Sequence, residues 1–204
     1  MEWNPIQQRL GVSADGIAGP QTYAALFRAA GCRDNNLALD MGRRASTDFP
    51  KFGISTPLRL AHFLAQAAHE TMGFLYLKEL GGPAYFVKMY DVLGQRPAVA
   101  KNLGNATPGD GARFPGRGIF QLTGRANYAN MGPRIGVDLI AHPEKAADPA
   151  NAVTIACLYW QDKELSALAD ADDLRAITKR INGGYNGFDD RKARLIKLKQ
   201  VLGC

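Results

Sequence analysis

Two glutamates nine positions apart, Glu70 and Glu79, offer the acid-base chemistry of this sequence. Glu70 follows Phe63 by seven residues and Ala67 by three, so a helix through this stretch places its carboxyl on the apolar face. Apolar surroundings disfavour a charged carboxylate, which suits a group that donates a proton near neutral pH. The alternative is an ordinary last-turn glutamate that turns outward to solvent, as most glutamates do.

Glu79 lies on the opposite face of any continuous helix that also contains Glu70, since nine helical steps rotate it away. The chain must therefore turn at Gly73 for the two carboxyl groups to meet. Hydrolysis of a glycosidic bond needs such a pair: one carboxyl protonates the leaving oxygen, and the other activates water or attacks the sugar. Glutamates at this spacing are common in helical proteins, so the pair alone does not identify an enzyme.

Metal catalysis is not supported by the histidines. His62 and His69 share one stripe of the predicted helix, with Gln66 between them. The segment after His69 lacks the second histidine of an HExxH site, and only His142 remains elsewhere. We therefore expect neither a metal nor another cofactor.

Cysteine chemistry is not indicated either. The three cysteines, Cys32, Cys157 and Cys204, are widely spaced and form no CxxC pair, so free thiols are expected, with Cys157 in the core. None lies in a motif with a histidine, which argues against a Cys-His peptidase or amidase.

Helical signals dominate the chain, and a mainly α fold with at most a small β-hairpin is predicted. Five glycines and two prolines between Gly104 and Gly118 predict a loop, which leads into an extended piece from Ile119 to Thr123. That loop lacks the GK[ST] ending of a phosphate-binding loop. The predicted helices cover residues 5–10, 20–30, 37–45, the stretch from Pro57 to Gly73, 149–162, 172–181 and 189–202.

Three blocks of the sequence resemble glycoside hydrolase family 19, which contains plant-type chitinases and phage endolysins. The blocks are FLAQAAHETMGF at residues 63–74, then GDG at 109–111 with GRGIFQLTGRANY at 116–128, and INGG at 181–184. They follow the order of the family and extend over most of residues 57–200. The resemblance implies a lysozyme-like α-helical catalytic domain with an inverting mechanism, here assigned to residues 36–204.

The same resemblance implies site residues. Glu70 matches the general acid and Glu79 the general base, with Thr123 holding the attacking water. Gln121, Asn127 and Asn182 match polar positions that bind N-acetyl sugars, although turn and helix-end chemistry also accounts for them. Arg191 and Arg194 both fall near an arginine that supports the carboxylates. Asn186 stands where plant-type members carry an acidic residue, so their charge network is not carried over intact.

The first 31 residues resemble a piece of a helical peptidoglycan-binding domain. The matching segments are IQQRLGV at 6–12, DGIAGP at 15–20 and TYAAL at 22–26. This unit is predicted to pack on something larger, either as a truncated wall-binding module or as a helical lid. The polar stretch from Cys32 to Asn36 marks the expected boundary with the main domain.

The expected substrate and setting follow from charge and resemblance together. A net charge of +6 favours an anionic partner, but scattered basic residues without a nucleic-acid-binding signature argue against nucleic acid. The short spacing of Glu70 and Glu79 resembles endolysins, which implies a monomeric muramidase acting on bacterial cell-wall peptidoglycan. A chitinase and an inactive wall-binding protein are the alternatives. Without a secretory signal or membrane span, such an enzyme is expected in the host cytoplasm until the membrane opens.

Overall fold

The computed structural model describes all 204 residues, and its regular secondary structure is almost entirely helical, as the sequence predicts. A 3₁₀ helix at Pro143–Ala147 precedes the ninth α-helix. The twelve α-helices are α1 (Asn4–Leu10), α2 (Pro20–Ala30), α3 (Asn35–Lys51), α4 (Pro57–Glu70), α5 (Pro83–Tyr90), α6 (Pro97–Asn102), α7 (Asp110–Arg113), α8 (Arg125–Ile135), α9 (Pro149–Asp162), α10 (Leu165–Asp170), α11 (Leu174–Asn182) and α12 (Phe188–Leu202).

The helices form two compact units. The first unit comprises Met1–Leu75 and Ala156–Cys204, and the second comprises Tyr76–Ile155. The second unit is thus one continuous stretch, whereas the first is built from two stretches that flank it in the sequence. None of the helices has the length and apolar character needed to cross a membrane.

Aromatic side chains fill the core of the first unit, where α2 packs on α3 and α4 packs on α12. The rings of Tyr23 and Phe49 lie 5.5 Å apart, those of Phe49 and Phe63 4.9 Å, and those of Phe63 and Trp160 5.3 Å, all edge to face. All four side chains are essentially inaccessible to solvent. Because Tyr23 belongs to residues 1–31, this N-terminal segment supplies part of the core of the first unit.

Helix α4 begins and ends where its sequence signals lie. The Thr56 hydroxyl accepts a hydrogen bond from the Arg59 N–H at 3.2 Å, and Pro57 occupies the first turn. After Glu70 the backbone turns through three successive left-handed residues, Met72, Gly73 and Phe74, with φ of 51°, 74° and 65°. The Gly73 N–H closes the helix on the Ala68 carbonyl at 2.6 Å, so the chain reverses at the position that the sequence indicates.

The predicted β-hairpin and the extended piece from Ile119 to Thr123 are not present. Gly118 and Gln121 have left-handed φ values of 79° and 51°, which a strand cannot accommodate. The segment is instead a tight turn, closed by hydrogen bonds of 2.7 and 3.1 Å between Arg117 and Leu122. Only isolated antiparallel bridges remain, from Arg117 to Lys78 and to Leu122.

The glycine-rich loop of the second unit is held by a buried carboxylate, Asp91. Its oxygens accept hydrogen bonds from the N–H groups of Leu93, Gly109 and Gly111 at 3.1, 2.8 and 3.0 Å. Burial alone raises the pKa of this carboxyl, but the backbone hydrogen bonds outweigh it, and the pKa is lowered from its ordinary value. The loop also contains the short helix α7, which the sequence did not predict.

A buried histidine of the first unit lacks a partner for one ring nitrogen. His62 Nε2 lies 2.8 Å from Asp172 Oδ1, and Lys199 Nζ contacts the other Asp172 oxygen at 2.5 Å. The other ring nitrogen of His62, Nδ1, is buried without a hydrogen bond. A proton added there would be enclosed without an acceptor, and burial lowers the pKa of His62 despite the Asp172 carboxylate.

The free energy of unfolding should therefore fall as the pH drops below about 6.5, the ordinary histidine pKa. In that range the unfolded chain binds a proton that folded His62 does not, so acid favours unfolding. His62→Gln is expected to flatten this dependence, because glutamine does not titrate. Urea midpoints between pH 5 and 7.5 measure the effect, with the exposed His142→Gln as the matched control. An unchanged pH dependence in His62→Gln would contradict the prediction.

Candidate active site

Glu70 ends α4 in a partly buried position, with 21% of its side chain exposed. Its Oε1 accepts a hydrogen bond of 2.6 Å from Nη2 of Arg191 on α12. The helix therefore places the carboxyl at the edge of the core, where it is neither enclosed nor free to turn outward. The guanidinium fixes one carboxyl oxygen, and no protein group donates to Oε2.

Arg191 is fully buried, and each of its donor groups has a partner. Besides Glu70, Nη1 donates to the side-chain oxygen of Gln66, and Nε donates to the Asn186 carbonyl at 3.3 Å. Gln66 in turn reaches the Thr178 hydroxyl at 3.4 Å. Arg191 is thus the arginine that supports the carboxylate, and because it is enclosed it positions Glu70 rather than contacting a ligand.

Arg194, the other candidate arginine, makes different contacts. Its Nε donates to Asp190 Oδ2 at 2.7 Å, and the same oxygen lies 2.6 Å from Nδ1 of His69. Burial raises the pKa of Asp190, but its hydrogen bonds with Arg194 and His69 bring the pKa below its ordinary value. Asp190 and Arg194 together hold the imidazole of His69, the residue before Glu70 in the sequence. Arg194 therefore has only an indirect link to the Glu70 carboxyl.

In the second unit, two donors hold the carboxylate of Glu79. The Tyr90 hydroxyl donates to Oε1 at 2.7 Å, and the Gly116 N–H donates to Oε2 at 2.9 Å. The Glu79 N–H also donates to the Gly116 carbonyl at 2.9 Å. Both the backbone and the side chain of Glu79 are therefore hydrogen-bonded to Gly116. Burial and the adjacent carboxylate raise the pKa of Tyr90, which keeps its phenol protonated as a donor.

Gly116 lies among three of the predicted site residues. A methyl group at its Cα would stand 2.6 Å from Gln121 Oε1, 3.1 Å from Glu79 Oε2 and 3.3 Å from Thr123 Oγ1. The tight turn before Thr123 thus gathers three side chains around the Cα atom of Gly116, namely the Gln121 amide, the Glu79 carboxylate and the Thr123 hydroxyl. Thr123 donates its proton to the Gln121 carbonyl at 2.8 Å, which leaves its oxygen lone pairs as acceptors.

Of the predicted sugar-binding residues, two hold the turn around Thr123 and the third is exposed. Gln121 donates to the Gly118 carbonyl at 2.9 Å, and Asn127 donates to the Thr123 carbonyl at 2.7 Å, so both amides support the turn. Asn182 is the exposed last residue of α11. Sequence reasoning missed Tyr90 and Gly116, because no spacing rule links Glu79 to a tyrosine eleven positions later.

Replacing Gly116 with alanine should reduce hydrolysis roughly 10- to 100-fold, because Glu79 and Thr123 must each shift by a few tenths of an ångström and a full 1 Å displacement costs about 100-fold. The added methyl collides with the Gln121 amide and crowds Glu79 and Thr123, while the backbone of the second unit has no other reason to change. Gly82→Ala is the matched control, because a methyl there meets no atom within 4 Å. Initial rates and thermal midpoints of both variants test the prediction; equal activity of both would contradict it.

Comparison with known proteins identifies the family of this chain. The family model described as chitinase class I, of glycoside hydrolase family 19, matches residues 30–173. A family 19 domain-containing protein of Haemophilus influenzae is 34% identical over 168 residues, which cover 72% of this chain and 81% of that protein. Chitinase 6 of Oryza sativa is 30% identical over 183 residues, covering 84% of this chain and 63% of that protein.

A solved structure agrees with the fold. Chitinase C from Streptomyces griseus superposes with a TM-score of 0.70 at 23% identity, covering 91% of this chain and 94% of that one. The class defined by these findings is a hydrolase of glycosidic bonds. The chain belongs to glycoside hydrolase family 19. It spans less than two thirds of the rice chitinase.

Proposed function

We propose that this protein hydrolyses the β-1,4 bonds of bacterial peptidoglycan with inversion, as a muramidase of the phage endolysin type. The short spacing between Glu70 and Glu79, typical of endolysins in the family, supports this substrate. The net charge of +6 suits a polymer that carries carboxylates. The observation that carries the mechanism is the donor pair on Glu79, which presents its carboxylate as an acceptor for a proton from water.

In this mechanism Glu70 protonates the leaving oxygen and Glu79 removes a proton from the attacking water. Each Glu79 oxygen accepts one hydrogen bond from the protein and keeps a further lone pair for the water. Because the Thr123 proton is committed to the Gln121 carbonyl, its oxygen accepts the other water proton. A water held by two acceptors directs its own lone pair away from both of them, toward the sugar carbon.

The anomer released first tests the water mechanism. Digestion of a defined β-linked oligosaccharide in an NMR tube should give the α-anomer before mutarotation, because water attacks the face opposite the leaving group. A β-anomer appearing first would overturn the roles given to Glu79 and Thr123.

Chitin hydrolysis is the second candidate function, and the chitinase names of the rice and Streptomyces relatives favour it. Mass spectrometry of purified peptidoglycan and chitin after digestion separates the two. New reducing-end N-acetylmuramic acid supports the muramidase. New reducing-end N-acetylglucosamine from peptidoglycan would indicate a glucosaminidase, and cleavage of chitin alone would overturn the proposal.

A further inference from the structure

A pocket of about 660 Å³ opens in the first unit beside the turn that follows Glu70. One wall is the segment from Met72 to Leu75, and the others come from the end of α2, the connection to α3, and α12. Four cationic side chains line this basic pocket: Arg28, Arg33, Arg194 and Lys197.

Most of this positive charge is not neutralised by the protein. Arg28, Arg33 and Lys197 form no ion pair, and Arg194 alone reaches a carboxylate, that of Asp190. Asp34 is the acidic residue in the lining, and one of its oxygens accepts the N–H groups of Asn36 and Leu37 at 2.8 and 3.1 Å as the cap of α3. Like charges gathered without counter-charges repel one another, so an anion in the pocket is electrostatically favoured.

The basic pocket is close to the proposed proton donor. Gly73 follows Glu70 by three positions, so their Cα atoms lie at most about 11 Å apart. Arg194 follows Arg191 by three residues on α12, about 4.5 Å along the helix axis. The basic pocket therefore borders both the turn that follows Glu70 and the helix that carries Arg191, which holds the Glu70 carboxyl.

The lining also offers apolar surface. Met72 and Leu75 are both 68% exposed, which is high for large apolar side chains. A ligand with carboxylates on an aliphatic backbone matches this mixture of cations and exposed apolar groups. The peptide stems of peptidoglycan have that chemistry, whereas chitin has neither peptide nor charge.

Building on the proposed function, we infer that the basic pocket binds the carboxylates of the peptide stem and so selects peptide-bearing glycan over chitin. The stem is attached to the lactyl group of the sugar, close to the backbone that is cleaved. A contact there contributes to affinity for peptidoglycan and nothing to hydrolysis of an uncharged sugar chain.

Binding of the free stem tests the pocket without relying on catalysis. Isothermal titration with the tetrapeptide L-Ala-D-Glu-diaminopimelate-D-Ala should show binding that weakens about tenfold in Arg28→Gln/Lys197→Gln, since exposed cation contacts have effects of this order. Lys192→Gln, an exposed neighbour on α12 outside the pocket, should bind like the unmodified protein. Absence of binding, or tighter binding of glycerol 3-phosphate than of the tetrapeptide, would overturn the inference.

Kinetics then separate this inference from the proposed function. On intact peptidoglycan the double variant should lose about tenfold in kcat/KM through KM, whereas on glycan strands stripped of peptides it should match the unmodified protein. Equal losses on both substrates would overturn the selective role of the pocket. If peptidoglycan is not cleaved but the tetrapeptide still binds through Arg28 and Lys197, the proposed function fails while the assigned pocket stands.

Discussion

Replacing Glu70 with glutamine should reduce hydrolysis about 100- to 10,000-fold, the range that general acids contribute. The amide keeps the shape of the side chain but has no proton to donate to the leaving oxygen. Its oxygen still accepts the hydrogen bond from Arg191, but the fully buried guanidinium loses its counter-charge, so the free energy of unfolding should fall by about 3–5 kcal/mol. Initial rates on purified peptidoglycan and on chitin, with thermal melts of the same preparations, measure both effects.

The exposed Glu144→Gln is the matched control for this experiment, because it removes the same charge from the surface of the second unit. It should hydrolyse and melt like the unmodified protein. A well-folded Glu70→Gln protein with near-normal rates would remove Glu70 from the mechanism.

Arg191→Met should lower the free energy of unfolding by about 3–5 kcal/mol, the cost of breaking a buried ion pair by removing one partner. The substitution leaves the Gln66 side-chain oxygen, the Asn186 carbonyl and the Glu70 carboxylate without their shared donor. Chemical denaturation measures the loss. The adjacent Lys192→Met is the control, since that side chain is exposed, and its change should stay within about 0.5 kcal/mol.

The conservative Arg191→Lys separates positioning from stability. Lysine keeps the charge but cannot reproduce the planar fork of donors, so kcat should fall with little change in KM. If Arg191 acts through Glu70, this loss should vanish in the Glu70→Gln background. An additive loss in the double variant would show that Arg191 has only a structural role.

Much of the helical architecture follows from local signals. The prediction for 20–30 matches α2, and the Thr56 cap with Pro57 marks the start of α4, because capping and proline preferences act over a few residues. Helix α8 was not predicted, because it contains Gly132 and Pro133 and few apolar residues. The segment from Gly104 to Gly118 is a loop as predicted, but its short helix α7 was missed, because Asp91 organises it from 18 to 20 positions away.

The candidate site was predictable in its residue types but not in its contacts. Glu70, Glu79 and Thr123 follow from the resemblance, and the structure then distinguishes Arg191 from Arg194 by burial. Both arginines occur on one charged helix, and only the tertiary fold determines which of them turns inward. The Tyr90 and Gly116 contacts to Glu79 depend on how the second unit folds, which residue spacing does not encode.

The separation of Glu70 from Arg191 along the chain has a consequence for the timing of synthesis. The two residues are 121 positions apart, because the whole second unit lies between the stretches of the first. At about 5–20 residues per second, a ribosome takes roughly 6–24 s to cover that distance. During this interval the nascent chain contains both glutamates but not the arginine that positions Glu70. The hydrolase therefore acquires a correctly held proton donor only after Arg191 has been synthesised.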